Sequence, residues 1–208
     1  ERGPSGYLNP TFKISTISGS PVTAFNIDYS DDFFLMDFTI RDKAHSIIFT
    51  GVTAALGGGI HKMIVAEVDL MTGTPIQSSI QYDVNGGQYS LMPHQVIHSE
   101  PNNQVIIVGS EIYGPLDPSN YAFVPKSGFV MGLDINNYNT TAFATVKMDT
   151  WGASNWDYDM LENVTEVNGW GYFMSGSCNE PSGKQSLHTM GIDYSGTVMF
   201  SNIIDNSN

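Results

Sequence analysis

The sequence predicts an all-β chain, an array of four-stranded antiparallel meanders with three full units preceded by half a unit. Short β-branched or aromatic runs, bounded by Gly, Asn, Asp or Pro, recur along all 208 residues. No stretch holds a 3.6-residue apolar stripe over three capped turns, so helix content is expected to be very low. The runs also fall in the same order three times.

The half unit comes first. Residues 12–17 read as a third strand, Ser18-Gly19-Ser20-Pro21 as a turn and residues 22–29 as a fourth strand. Its counterpart in the next unit is Thr72-Gly73-Thr74-Pro75 followed by residues 76–82. The first strands of the full units are expected at residues 34–40, 91–99 and 160–167. The second strands are expected to end on Gly51, Gly109 and Gly176, and the third on Asp69, Asp134 and Asp193. Fourth strands are expected at residues 76–82, 141–148 and 197–203. Residues 1–208 then form one repetitive β domain, with a half unit at 10–30 and units at about 33–83, 91–149 and 159–204. The aspartates are read as turn caps, because a carboxylate there can accept backbone N–H groups of the following turn.

The matched glycines are 58 and 67 residues apart and the matched aspartates 65 and 59. The layout, a strand ending in Gly-Ser or a similar pair and a next strand ending in Leu-Asp or Val-Asp before a glycine turn, resembles the β-propeller repeats of secreted proteins. That resemblance implies a propeller-like fold. Its repeats are longer than the roughly 40 to 50 residues of compact blades, and the excess falls in loops. Closure needs about four blades, so three and a half units leave three readings. The chain is a piece of a larger propeller, or another chain completes it, or the units form an open stack or sandwich. The start, Glu1-Arg2-Gly3-Pro4, is read as a processed end or as the first residues of something longer.

Composition narrows the functional classes. The formal charge is −13, and such a surface repels phosphate backbones and anionic lipid, so no nucleic-acid partner is expected. No apolar run approaches the roughly 20 residues of a membrane helix, so no membrane insertion is expected. Charged residues make up only 14%, against roughly 25% in average soluble domains. With many amides and hydroxyls, this fits an extracellular or cell-surface protein, and Asn139 and Asn163 open N-x-T triplets suited to glycosylation. Cys178 is the single cysteine, which excludes an internal disulfide and a multi-cysteine zinc site.

Meander topology gathers the long loops at one end, where binding or assembly belongs. The distinctive loop there carries Trp151, Asn155, Trp156, Asp157, Tyr158 and Asp159. Its tryptophans suit a protein contact or the face of a sugar ring, with the acids and amides taking hydroxyls. Asp28, Asp31, Asp32 and Asp149, with Asp157 and Asp159, are oxygen donors for calcium, the one cofactor considered.

Catalytic constellations are not evident. Gly57-Gly58-Gly59-Ile60-His61-Lys62 lacks the Ser or Thr that follows Lys in a phosphate loop. His188 near Cys178 has no third member. His94 and His98, four apart on an extended strand, lie about 13 Å from each other and cannot share one metal. The expectation is a non-catalytic extracellular structural or assembly module, such as a subunit of a surface layer or filament, whose partners are other protein subunits, copies of itself or a larger parent chain. The alternatives are a glycan-binding module and a domain of a carbohydrate-active enzyme.

Overall fold

The structure is a computed structural model that describes residues 11–15, 21–26, 33–53, 62–81, 89–113, 125–143, 159–179 and 185–204. It is all-β. Among these residues the only helical segment is a single 3-10 turn at Asp42–Ala44. A hairpin of β1 (Thr11–Ser15) and β2 (Pro21–Asn26) comes first. Three four-stranded antiparallel sheets follow, each ordered as in the chain. The first holds β3 (Phe33–Arg41), β4 (Ser46–Thr53), β5 (Met63–Asp69) and β6 (Pro75–Gln81). The second holds β7 (Tyr89–Ser99), β8 (Gln104–Tyr113), β9 (Pro125–Asp134) and β10 (Asn137–Phe143). The third holds β11 (Asp159–Val167), β12 (Gly171–Asn179), β13 (Gln185–Ile192) and β14 (Val198–Ile204).

The sheets stack in chain order, with the first strand of each lying across the sheet before it: β7 meets β3, β4 and β5, and β11 meets β7, β8 and β9. We call the face toward the preceding sheet the front and the opposite face the back. The first seam packs Ile48, Met63 and Val65 from the back of the first sheet against Val96, Val105, Ile107, Phe129 and Leu133. The second packs Ile106, Val108, Val130 and Phe143 against Leu161, Val164, Tyr172, Met174 and Met190. A sheet covered on both faces needs continuous apolar strands rather than alternating ones. This is why residues 47–49 and 105–108 contain no polar position and why β5 is buried along nearly its whole length.

Two expectations need correction. The matched glycines do not end their strands: β4, β8 and β12 run on to Thr53, Tyr113 and Asn179. Each glycine instead faces a β-bulge in the first strand, where the register slips between Leu35 and Asp37, between Pro93 and Gln95, and between Leu161 and Asn163. The bulge pushes backbone into the space a side chain would need. A Cβ on Gly109 would lie 2.1 Å from the Met92 carbonyl oxygen. The fourth strand of the second sheet starts at Asn137 rather than near 141. The Asp134 carboxylate accepts the Asn136 N–H at 2.8 Å and tightens the turn, so pairing resumes at once with Asn137 opposite Asp134.

Candidate functional site

The bulges organise the seams as well as the sheets. In each first strand the residue after the bulge is polar and points to the back: Asp37, Gln95 and Asn163. The residue after that is Phe38, Val96 or Val164. Asp37 Oδ2 accepts the Val96 N–H at 2.8 Å, and Gln95 Oε1 accepts the Val164 N–H at 2.5 Å. One side chain of each first strand thus satisfies a backbone donor of the next, as a buried N–H requires. Asn163 holds the third such position, is exposed, and has no side-chain partner among the described residues.

A buried carboxylate reinforces the first seam. Glu67 receives Arg41 at 3.2 Å, Gln77 at 3.0 Å, the Tyr138 hydroxyl at 2.8 Å and the Ser46 hydroxyl. Burial alone pushes its carboxyl up, but these four donors outweigh that and hold it below the usual carboxylate range. Burial, with the Glu67 charge beside it, raises the Tyr138 hydroxyl far above the ordinary phenol value, so it stays a donor. At the register position of Glu67 the second and third sheets carry Gly132 and Gly191, covered by the rings of Phe143 and Phe200.

The three aspartates cap their turns. Asp69 Oδ1 accepts the Met71 and Thr72 N–H groups at 2.9 and 2.8 Å, and Asp193 Oδ1 those of Ser195 and Thr197, both at 2.9 Å. These bonds lower both carboxyl groups, led by the Thr72 backbone in one and the Ser195 hydroxyl in the other.

Register puts the sequence-selected Cys178 and His188 on one face of adjacent strands. Cys178 is fully buried in β12, its thiol directed to the Ser186 carbonyl at 3.7 Å. His188 lies opposite Gly176, and its ring meets the Ser201 hydroxyl at 2.8 Å. His94 sits in the β7 bulge, so it and His98 do not share one regular strand. Its ring bridges the Ser110 hydroxyl, 3.2 Å away, and the Leu161 backbone. Among the described residues no group of three or more His, Cys, Asp or Glu side chains gathers as a metal site. Asp159 is buried in β11 opposite Cys178. Asp28, Asp31, Asp32, Asp149, Trp151, Asn155, Trp156, Asp157 and Tyr158 lie outside the described residues, as does the side chain of Asn139.

The feature that sequence reading missed is the back of the third sheet. Strand register places Phe173, Gly191 and Phe200 in one row there and Leu187 beside Ile204 in another. Trp170 leans on Phe200 with ring centroids 5.8 Å apart, and Phe173 lies 6.1 Å from the same ring. Leu187 is 47% exposed, yet its register equivalent in the first sheet, Met63, is 0% exposed under β7. On the front of the first sheet Phe38 is 50% exposed, where its equivalents Val96 and Val164 are at 2% and 5%, while Phe49, Ile64 and Ala66 on the same face are buried. A polar residue 14, 14 and 13 residues before the matched glycines was the available signal for the acceptor row. A scan against protein-family models finds no match to this chain, and a search of curated proteins finds no similar sequence.

Proposed function

We propose that the chain is a non-catalytic extracellular module, a propeller-like stack of sheets that joins protein subunits into a surface layer or filament. The observation that supports this reading best is the apolar back of the third sheet, exposed at positions that the same repeat buries elsewhere. Contiguous apolar surface of this kind marks a contact site. The aromatic stretch of sequence at 151–159, the low charge content and the N-x-T triplets at Asn139 and Asn163 fit the same setting. The polar groups that the fold does gather serve turns and seams, as Asp69, Glu67 and His94 do.

Light scattering on the purified chain over a hundredfold dilution tests the reading. The expected result is a mass well above 22.7 kDa that falls toward it on dilution. A mass fixed at 22.7 kDa at every concentration overturns it.

A further inference from the structure

The third sheet ties its β11–β12 turn with a side chain where the other two sheets use backbone. In each sheet one residue follows the capping aspartate of the third strand: Leu70, Ile135 or Tyr194. The Leu70 N–H donates to the His45 carbonyl at 2.9 Å and the Ile135 N–H to the Asn103 carbonyl at 3.0 Å, which joins those positions to the turn between the first two strands. Tyr194 reaches the same turn with its hydroxyl, which accepts the Gly169 N–H at 3.0 Å and donates to the Val167 carbonyl at 3.3 Å. Its ring stands edge-on to the buried Tyr172, centroids 5.4 Å apart, and this contact holds the hydroxyl in place. The turn it grips is Val167-Asn168-Gly169-Trp170, closed by the Trp170 N–H on the Val167 carbonyl at 2.9 Å.

Asn168 and Gly169 are both exposed, and Gly169 has φ +75° with open space where a Cβ would stand. A positive φ at this turn position calls for glycine, and glycine leaves the nitrogen that follows Asn168 unshielded. We propose that Asn168 is a site of spontaneous deamidation and that the Tyr194 hydroxyl restrains it. In this reaction the Gly169 nitrogen loses its proton and bonds to the Asn168 Cγ. The Cγ–Nδ2 bond breaks, and the side-chain nitrogen leaves as ammonia with that proton. Water then opens the cyclic imide at either carbonyl and leaves aspartate or isoaspartate at position 168, so water is the one co-reactant. The Gly169 nitrogen cannot attack while its N–H is held. The Tyr194 proton is committed to the Val167 carbonyl, so toward Gly169 the hydroxyl acts as an acceptor that keeps the N–H in place. Either product adds a negative charge two positions before Trp170, whose ring leans on Phe200 at the apolar back. Isoaspartate also lengthens the backbone of the turn by one methylene. Neither step depends on association of copies.

Ageing the purified chain in mildly alkaline buffer, followed by peptide mass spectrometry that separates aspartate from isoaspartate, tests both parts. The sequence has a second Asn-Gly pair, Asn85-Gly86, which serves as a reference inside the same sample. Tyr194→Phe keeps the ring against Tyr172 and removes the acceptor, and circular dichroism checks that it is folded during the incubation. The folded wild type is expected to convert slowly at Asn168. Tyr194→Phe should raise that rate about fivefold, the worth of one ordinary hydrogen bond, and leave the rate at Asn85 unchanged. In urea the two proteins should convert at Asn168 equally fast, because the contact is gone. Asn168→Gln, whose longer side chain closes a ring far more slowly, should keep its mass at that position. Equal rates at Asn168 in the folded wild type and Tyr194→Phe overturn the restraint. So does a difference that persists in urea or appears equally at Asn85. No conversion at position 168 in either folded protein overturns the site itself.

Discussion

Gly176 stands so close to Met160 that a Cβ on the glycine would lie 1.8 Å from the Met160 carbonyl oxygen. The obstruction is backbone, held by the β11 bulge, so no side-chain rotation can relieve it. Gly176→Ala is therefore expected to cost about 3 kcal/mol or more, as for severe overpacking. Gly169→Ala makes the contrast. It meets nothing within 4 Å but sits at φ +75°, and only the left-handed backbone penalises it, by roughly 1 kcal/mol. Urea denaturation of the two variants measures the difference.

Tyr138→Phe removes one donor from a buried carboxylate and leaves the ring in place. A hydrogen bond to a charged group is worth about 1.5–3 kcal/mol, and a loss in that range is expected from chemical denaturation. Glu67 also carries a pH signature. Its folded carboxyl titrates lower than its unfolded one, so its contribution is present above the ordinary carboxylate range. It is lost as the pH falls through that range toward the folded value. Glu67→Gln should flatten this acid limb of the stability profile.

Burial lowers the pKa of His94, His98 and His188, so each takes up a proton more readily unfolded than folded. Their stabilising contribution is present above the ordinary value of 6.5 and declines as the pH drops below it. For His188 burial is the single cause, and its ring already engages Ser201. His188→Gln should reduce the slope of stability against pH between about 6.5 and 5, read from urea midpoints in that window.

The acceptor row predicts a gradient along the chain. Asp37→Ala and Gln95→Ala each strand a backbone N–H in a packed seam and should cost about 1–3 kcal/mol. Asn163→Ala strands nothing within one copy and should change its stability by less than about 0.5 kcal/mol. A loss at Asn163 equal to that at Gln95 in the monomer would contradict the row.

Charge opposes association here. With −13 on each copy, docking brings like charges together, and salt screens them. Raising the salt from 0.02 to 0.5 M, a range chosen on the order of the screening threshold, should strengthen self-association. A salt-weakened complex would point to ion pairing instead.

How much of this was legible follows from which signals are written in side chains. Gly109 and Gly176 stand out because the bulge opposite excludes any Cβ, Gly51 because it faces a bulge at the same register, and Asp69, Asp134 and Asp193 because a turn needs a carboxylate. The bulges themselves left no mark. They sit on Met36, His94 and Glu162, which share no chemistry, since any residue can bulge when its partner is glycine. Glu67 read as one polar residue in an apolar strand, and its donors lie as far off as Tyr138. Asn163 read only as a glycosylation triplet, because its meaning depends on Asp37 and Gln95 occupying the same register.

A chain of three look-alike sheets must avoid stacking the wrong pair as it folds, the characteristic error of repetitive proteins. The single register position held by Glu67, Gly132 and Gly191 works against that error. Placing the third sheet directly on the first would bury the Glu67 charge without the Tyr138 hydroxyl it now accepts at 2.8 Å. Burying such a charge with a donor missing is costly. Glu67 thus labels the first sheet, so that the order of the stack is enforced by one carboxylate rather than by connection alone.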